Sequence, residues 1–172
     1  FPVGSLSMDE GIRPETNQEI LSSLRTVFSE DGQVTAGNAS QVSDGASAVL
    51  IASEEAAKRE GWPILARIVD YATSGVESKR VMSAPIPTVK KLLKITGMSL
   101  EDVDILEHNE AFASASCAIR DSLGIPDGSF NPHGGAIAIG HPLGATGARC
   151  LMTLVNAMRR RGSRRGIVTV CL

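Results

Sequence analysis

Residues Ala145 to Arg161 (ATGARCLMTLVNAMRRR) repeat apolar side chains at helical spacing, through Ala148, Leu151, Leu154, Val155 and Met158. Gly162 follows, and then the β-branched run GIVTVCL from Gly166 to Leu172. In that run Ile167, Thr169 and Cys171 share one face, and Val168, Val170 and Leu172 share the other. A one-sided helix leading directly into a strand must share its core with that strand. Upstream the alternation repeats. Pro87 to Ile95 sets Val89, Leu92 and Leu93 against Lys90, Lys91 and Lys94, an amphipathic helix. Ser99 opens a helical turn that leads into a strand-like Val103 to Glu107. A helix from Asn109 or Glu110 to Leu123 points Phe112, Ile119 and Leu123 inward.

The first third of the chain carries weaker signals. Thr16 to Glu19 reads as a capping box opening a short helix through Leu21 and Leu24. ASAVLIA (Ala46 to Ala52) and ILARIVDY (Ile64 to Tyr71) are apolar runs too short for lone helices and read as strands. Ser53 caps a helix over Glu54 to Glu60, and Gly61 ends it. Alternating helices and strands predict an α/β fold of stacked layers. Aromatic residues are 3% of the chain, so Ala, Val, Ile and Leu must build its core.

Composition excludes several partners. A formal charge of −2 gives no pull toward nucleic acid or anionic membrane, and no apolar run approaches the roughly 18 residues of a span. Arg159, Arg160, Arg161, Arg164 and Arg165 cluster where cations offset a helix macrodipole and read as a solvated helix end. Cys117, Cys150 and Cys171 are too few for a disulfide scaffold, and a reduced, cytoplasmic location is expected. His108 and His133 form no ligand spacing with a cysteine pair, so no metal is expected.

AIGHPLGATG (Ala138 to Gly147) is the stretch richest in chemistry. It has no lysine for a Walker loop, and Gly140, Gly144 and Gly147 miss the dinucleotide spacing. His141 precedes a long helix, and Pro142 restricts its backbone, which suits a general base or an oxyanion donor. Alone, that leaves open a structural turn histidine. Asn109 at a strand-to-helix junction is equally consistent with a helix cap, and Cys171 with a small buried hydrophobe.

Four motifs taken together carry more. VTAGNASQVSDGASAVL (Val34 to Leu50), NEAF (Asn109 to Phe112), GGAIAIGHPLGATGAR (Gly134 to Arg149) and VTVCL resemble the thiolase family, in its order and spacing. The resemblance runs from about Asp9 onward, while FPVGSLS before Met8 fits no motif. It implies the layered αβαβα thiolase fold, of which this chain is the C-terminal part. Residues 1–41 would complete the coenzyme-binding loop region, 42–62 would end the N-terminal half, and 63–172 would be the C-terminal domain short of its final strand.

The resemblance also implies a reversible Claisen exchange on 3-ketoacyl-CoA, acetoacetyl-CoA included. Coenzyme A and acyl-CoA would be substrates, and no cofactor would be permanently bound. His141 would activate a nucleophilic cysteine and hold the enolate oxygen, together with a water on Asn109. Cys171 would move the proton at the α-carbon. Coenzyme contacts would fall on Arg13, on Ala36, Gly37 and Ser40, and on Ala111 and Phe112. Neither Cys117 nor Cys150 matches the nucleophile's motif, so the isolated chain is expected to be inactive. Its partners would be the N-terminal thiolase half and further copies in a homodimer or homotetramer.

Gln41, Val42, Ile20, His108 and His133 depart from the family's usual residues, which bears on coenzyme detail and substrate range. The alternative is a non-catalytic CoA-binding fragment or subunit that needs a partner chain. A cysteine nucleophile elsewhere on the protein separates the two. A decarboxylating condensing enzyme is disfavoured by a catalytic cysteine at position 171.

Overall fold

A computed structural model describes residues 2–171 and shows an α/β fold. Six helices occur in chain order: α1 (Gln18–Ser23), α2 (Glu54–Arg59), α3 (Pro85–Thr96), α4 (Ala113–Leu123), α5 (Ala136–Ile139) and α6 (Leu143–Arg161). Two strands, β1 (Ile105–His108) and β2 (Gly166–Thr169), pair in parallel with Ile105 opposite Gly166 and His108 opposite Thr169. Leu172, assigned above to one face of the last strand, lies outside the described residues.

Side-chain alternation divides the sheet between two cores. Ile105 packs on Leu154 and Ala157 of α6, with Met158 and Val168 at the margin. Leu106 and Ile167 turn the other way, onto Val89 of α3 and Ile125 after α4, with Leu92, Leu93 and Phe130 around them. Burying an aliphatic side chain of this size contributes about 2 kcal/mol, and these contacts fix the sheet between its helices. Gly166 is required beneath α6, because a Cβ there would lie 2.7 Å from Leu154 Cδ1 and 2.9 Å from Met158 Sδ.

Most helix boundaries follow local chemistry. Ser53 Oγ accepts the Ala56 N–H at 3.1 Å to start α2, and Gly61 follows α2 at φ +67°. Gly97, Gly124 and Gly162 end α3, α4 and α6 in the left-handed region. Ser99 and Asp102 close a reciprocal capping box around a short 3-10 turn, Leu100–Asp102. Several expectations need correction. α1 is capped by Asn17, whose Oδ1 accepts the Ile20 N–H at 2.9 Å, and not by Thr16. α4 begins at Ala113, three or four residues late, because Asn109 to Phe112 make longer-range bonds instead. α5 was not foreseen; four residues are too few for a periodicity to register.

The runs Ala46 to Ala52 and Ile64 to Tyr71 pair with nothing among the described residues. Leu50, Ile51, Leu65 and Val69 stand exposed. A strand is made by a neighbouring strand, and an apolar run supplies only half of that requirement.

β1 has two ionisable residues among its four, Glu107 and His108, both buried on opposite faces. Burial pushes Glu107 up to about 7 against the pull of Arg149, with Glu110 adding to the rise. Burial pushes His108 down to about 4. The folded chain thus holds the Glu107 proton more tightly than the unfolded chain, and this contribution to stability falls as pH rises from 4.5 to about 7. His108 acts oppositely: its contribution is lost as pH falls from 6.5 to about 4. Each is worth about 3 kcal/mol, so the two nearly cancel. Denaturant unfolding at pH 5 and pH 8 should therefore show Glu107→Gln losing stability in acid and His108→Phe losing it in base. A shared pH profile for the two variants would contradict these burial assignments.

Candidate active site

The sheet ends in a cluster of polar bonds. The parallel ladder continues one residue past β1, where the Asn109 N–H donates to Thr169 O at 3.1 Å. Asn109 is completely buried and Cys171 lies two residues beyond β2. Parallel strands deliver both to the same edge of the sheet. Cys171 is half-buried, its Sγ 3.5 Å from Met82 Sδ, and burial pushes its thiol pKa up.

His141 reaches Asn109 from the loop between α5 and α6. Gly140 permits the approach: its φ is +89°, and an added Cβ would collide with Ser43. The His141 N–H donates to Gln41 O at 3.0 Å, and Gln41 Nε2 donates to Gly11 O at 2.9 Å. Gln41, noted above only as a departure from the family, thus ties two loops to the histidine. On the ring, Nε2 lies 3.2 Å from Asn109 Nδ2, and Nδ1 lies 2.6 Å from Thr146 Oγ1. Thr146 is buried in the first turn of α6 and donates to Pro142 O at 3.0 Å. Arg149, one turn further along α6, donates from Nη2 to Asn109 Oδ1 at 2.9 Å. Its Nη1 stands 3.6 Å from Glu107 Oε1. Burial, and secondarily the Arg149 charge, hold the imidazole pKa below its ordinary value.

The neighbouring loops are fixed by Asn131, the one non-glycine at positive φ (+42°) among the described residues. Its side chain accepts the His108 N–H at 2.6 Å and donates to His108 O at 2.9 Å, so an amide closes the free edge of β1. The same Nδ2 donates to Glu110 Oε1 at 2.8 Å, and Glu110 Oε2 accepts the Ile137 N–H of α5 at 3.3 Å. A Cβ on Gly135 would lie 2.9 Å from the Glu110 carboxyl, so this glycine lets the loop pass close to it.

The expected coenzyme contacts divide. Ser40 N–H donates to Ala111 O at 3.0 Å, Ala113 N–H donates to Asn38 O at 2.8 Å, and Ala39 bridges Phe112. Ser40 is thus joined to Ala111 and Phe112 in one ledge, and Ala36 and Gly37 lie in the Thr35–Asn38 turn that leads into it. Gly37 has a packing reason of its own, since a Cβ would meet Leu21 Cδ2 of α1 and Leu24 Cδ1 just after it. Arg13 is exposed in the loop before α1, and no side-chain hydrogen bond ties it to this ledge among the described residues. Cys150 is fully buried in α6 with its thiol pushed up to about 11, and Cys117 is exposed on α4. Neither is built as a nucleophile. Thr146, Arg149, Glu107, Glu110 and Asn131 were missed by the sequence reading. No local signal set Thr146 or Arg149 apart from other positions of the helix, and for Asn131 there was just the turn sequence around Pro132.

A neutral imidazole with one ring nitrogen anchored and the other facing an amide, at the sheet end where a half-buried thiol also emerges, is equipped for proton transfer and oxyanion binding. The profile "Thiolase, C-terminal domain" matches residues 62–172, and "Thiolase, N-terminal domain" matches residues 4–55. The matched region thus takes in Gly4 to Ser7, which the motif reading had set aside. The chain is 46% identical over 168 residues to an acetyl-CoA acetyltransferase of Shinella zoogloeoides, covering 98% of the chain and 43% of that protein. It is 44% identical over 166 residues to a 3-ketoacyl-CoA thiolase of Bacillus subtilis, covering 96% and 42%. Among solved structures, human mitochondrial 3-ketoacyl-CoA thiolase in complex with CoA superposes with a TM-score of 0.89 at 41% identity, covering 97% of the chain and 42% of that structure. The Bacillus anthracis acetyl-CoA acetyltransferase gives 0.89 at 40%, covering 95% and 42%. The chain spans about two fifths of the length of these relatives. In sequence and in fold, it belongs to the thiolase family.

Proposed function

We propose that this chain supplies the acid–base half of a thiolase: an acyl-CoA C-acyltransferase that condenses or thiolytically cleaves 3-ketoacyl-CoA, with acetoacetyl-CoA among its substrates. The observation that carries the reading is the convergence of His141, Asn109 and Cys171 on one sheet edge, with the imidazole anchored through Thr146. His141 Nε2 takes the proton of a cysteine thiol supplied from outside these residues. That thiolate attacks the thioester carbonyl carbon, and coenzyme A leaves as its thiol with the proton given up by Cys171. In the condensation direction Cys171, now the thiolate, takes a proton from the α-carbon of acetyl-CoA. The enolate carbon attacks the acyl-enzyme and expels the cysteine sulfur. Ring N–H and a water held by Asn109 steady the enolate oxygen once His141 is protonated. A thiol whose pKa is raised by burial stays protonated at neutral pH and is ready to return that proton in the cleavage direction. The ledge of Ser40, Ala111 and Phe112, with the turn carrying Ala36 and Gly37, takes the pantetheine arm, and Arg13 meets the nucleotide end. Assembly with an N-terminal thiolase half, in a homodimer or homotetramer, and action in the cytoplasm belong to the same proposal.

Four outcomes test it. In the whole protein, Cys171→Ala should still form an acyl-enzyme by mass spectrometry but lose condensation; unchanged condensation would remove Cys171 from the chemistry. Asn109→Ala should lower kcat by about 10²-fold, the usual effect of losing an oxyanion donor. An effect confined to KM would assign Asn109 to binding alone. Thr146→Val should lower kcat for acylation more than it raises KM, because it removes the anchor of Nδ1. The 172-residue chain alone should not turn over acetoacetyl-CoA, and turnover by it would overturn the external nucleophile.

A further inference from the structure

Arg149 has no part in the chemistry described so far, yet it makes the hydrogen bond that determines the others. A guanidinium has only donors, so the amide atom it meets at 2.9 Å must be the Asn109 carbonyl oxygen. The Asn109 NH₂ is then the end that faces His141 Nε2 at 3.2 Å. An NH₂ has only protons to give, so Nε2 must accept, and a neutral ring then carries its proton on Nδ1. That proton goes to Thr146 Oγ1, whose own proton goes to Pro142 O. Every bond from Arg149 through Asn109, His141 and Thr146 to Pro142 donates in the same direction. The guanidinium end cannot be reversed, because Arg149 cannot accept; the Thr146 hydroxyl, which can turn its one proton to Pro142 O or to Nδ1, follows it.

We propose that Arg149 is the positioning residue of this site: it fixes which end of the Asn109 amide faces His141, and thereby the ring tautomer that presents a bare Nε2. The inference rests on the thiolase reading only for the use made of that nitrogen, as the base for the nucleophile's thiol. The geometry is well suited to the task. Thr146 and Arg149 are three residues apart on one face of α6, so a single helix holds both flanks of the relay. Asn109 is buried and pinned by its N–H to Thr169 O. Arg149 Nε and Nη1 have no hydrogen-bond partner among the described residues, so Asn109 takes its one direct bond. Glu107, on the same sheet face as Ile105 and wholly enclosed, stands across from the cation at 3.6 Å. Arg149 is also the charge that adds to burial in keeping His141 deprotonated, with Glu107 behind it. Without Arg149 the amide is free to turn over and offer Oδ1 to an Nε2–H, which cannot accept a proton.

The test is ¹⁵N NMR of imidazole-labelled protein, with the His141 signals assigned by their loss in His141→Gln. The native protein should show Nδ1 protonated and Nε2 bare. Glu107→Gln with Arg149→Met, which leaves no unpaired buried charge, should bring in the Nε2–H tautomer. It should also raise the His141 titration midpoint, because the Arg149 charge that adds to burial in holding it down is gone. Arg149→Lys keeps a donor and the charge, and should retain the native tautomer. A native ring protonated on Nε2 overturns the proposal without any variant. So does a folded double variant whose tautomer and midpoint match the native protein. Neither readout needs turnover: a protein inactive on acyl-CoA with the native tautomer refutes the functional reading alone, and an active one with Nε2–H in the native state refutes this inference alone.

Discussion

Parallel pairing of β1 with β2 is the constraint on which the rest of the site depends. Residue 108 is locked opposite 169, and the ladder runs one bond further, from Asn109 N–H to Thr169 O. That register decides that Asn109 and the residues following Thr169 emerge together. A shift of one residue would turn Asn109 to the other face and carry Cys171 away from it. The apolar packing above and below the sheet, Leu154 and Ala157 against Ile105, and Val89 and Ile125 against Leu106, is what holds the register. Core and chemistry are joined by one helix. The last two turns of α6 build the core, and its first two carry Thr146 and Arg149 to the imidazole.

The polar interior is unusual in its distribution. Glu107, His108 and Asn109 are consecutive and all buried. Glu107 faces the α6 side and its Arg149; His108 faces the α4 side, where its ring packs 6.1 Å from that of Phe130. Asn109 continues the ladder into the site. Two adjacent ionisable groups whose pKa values move in opposite directions leave β1 with a neutral His108 and a Glu107 only partly ionised near pH 7. A strand that would be costly to bury fully charged is thereby tolerated beneath a site that needs a cation at one specific place.

How much of this was legible in the sequence depended on range. Helices α3 and α6 were readable because twelve and nineteen residues give the 3.6 period room to repeat, and glycines mark their ends. The strand-like character of residues 105–108 and 166–169 was readable from β-branched and apolar runs. Ala46 to Ala52 and Ile64 to Tyr71 looked the same locally, and only a partner distinguishes a strand from an apolar run. His141, Asn109 and Cys171 were found through motifs, yet nothing local showed that Asn109 touches His141, thirty-two residues away. Thr146 and Arg149 read as ordinary helical positions. Their roles arise only when α6 is laid against β1, as does that of Asn131, whose side chain stands in for a missing strand neighbour.

The most direct test is to locate the acyl group. The protein carrying this chain would be exposed to acetoacetyl-CoA, quenched in acid, digested, and the acetylated peptide identified by mass spectrometry. This account predicts one acetyl group on a cysteine outside residues 1–172, with Cys117, Cys150 and Cys171 unmodified. Acetylation at one of these three, or no covalent acetyl-enzyme under conditions of turnover, would contradict it.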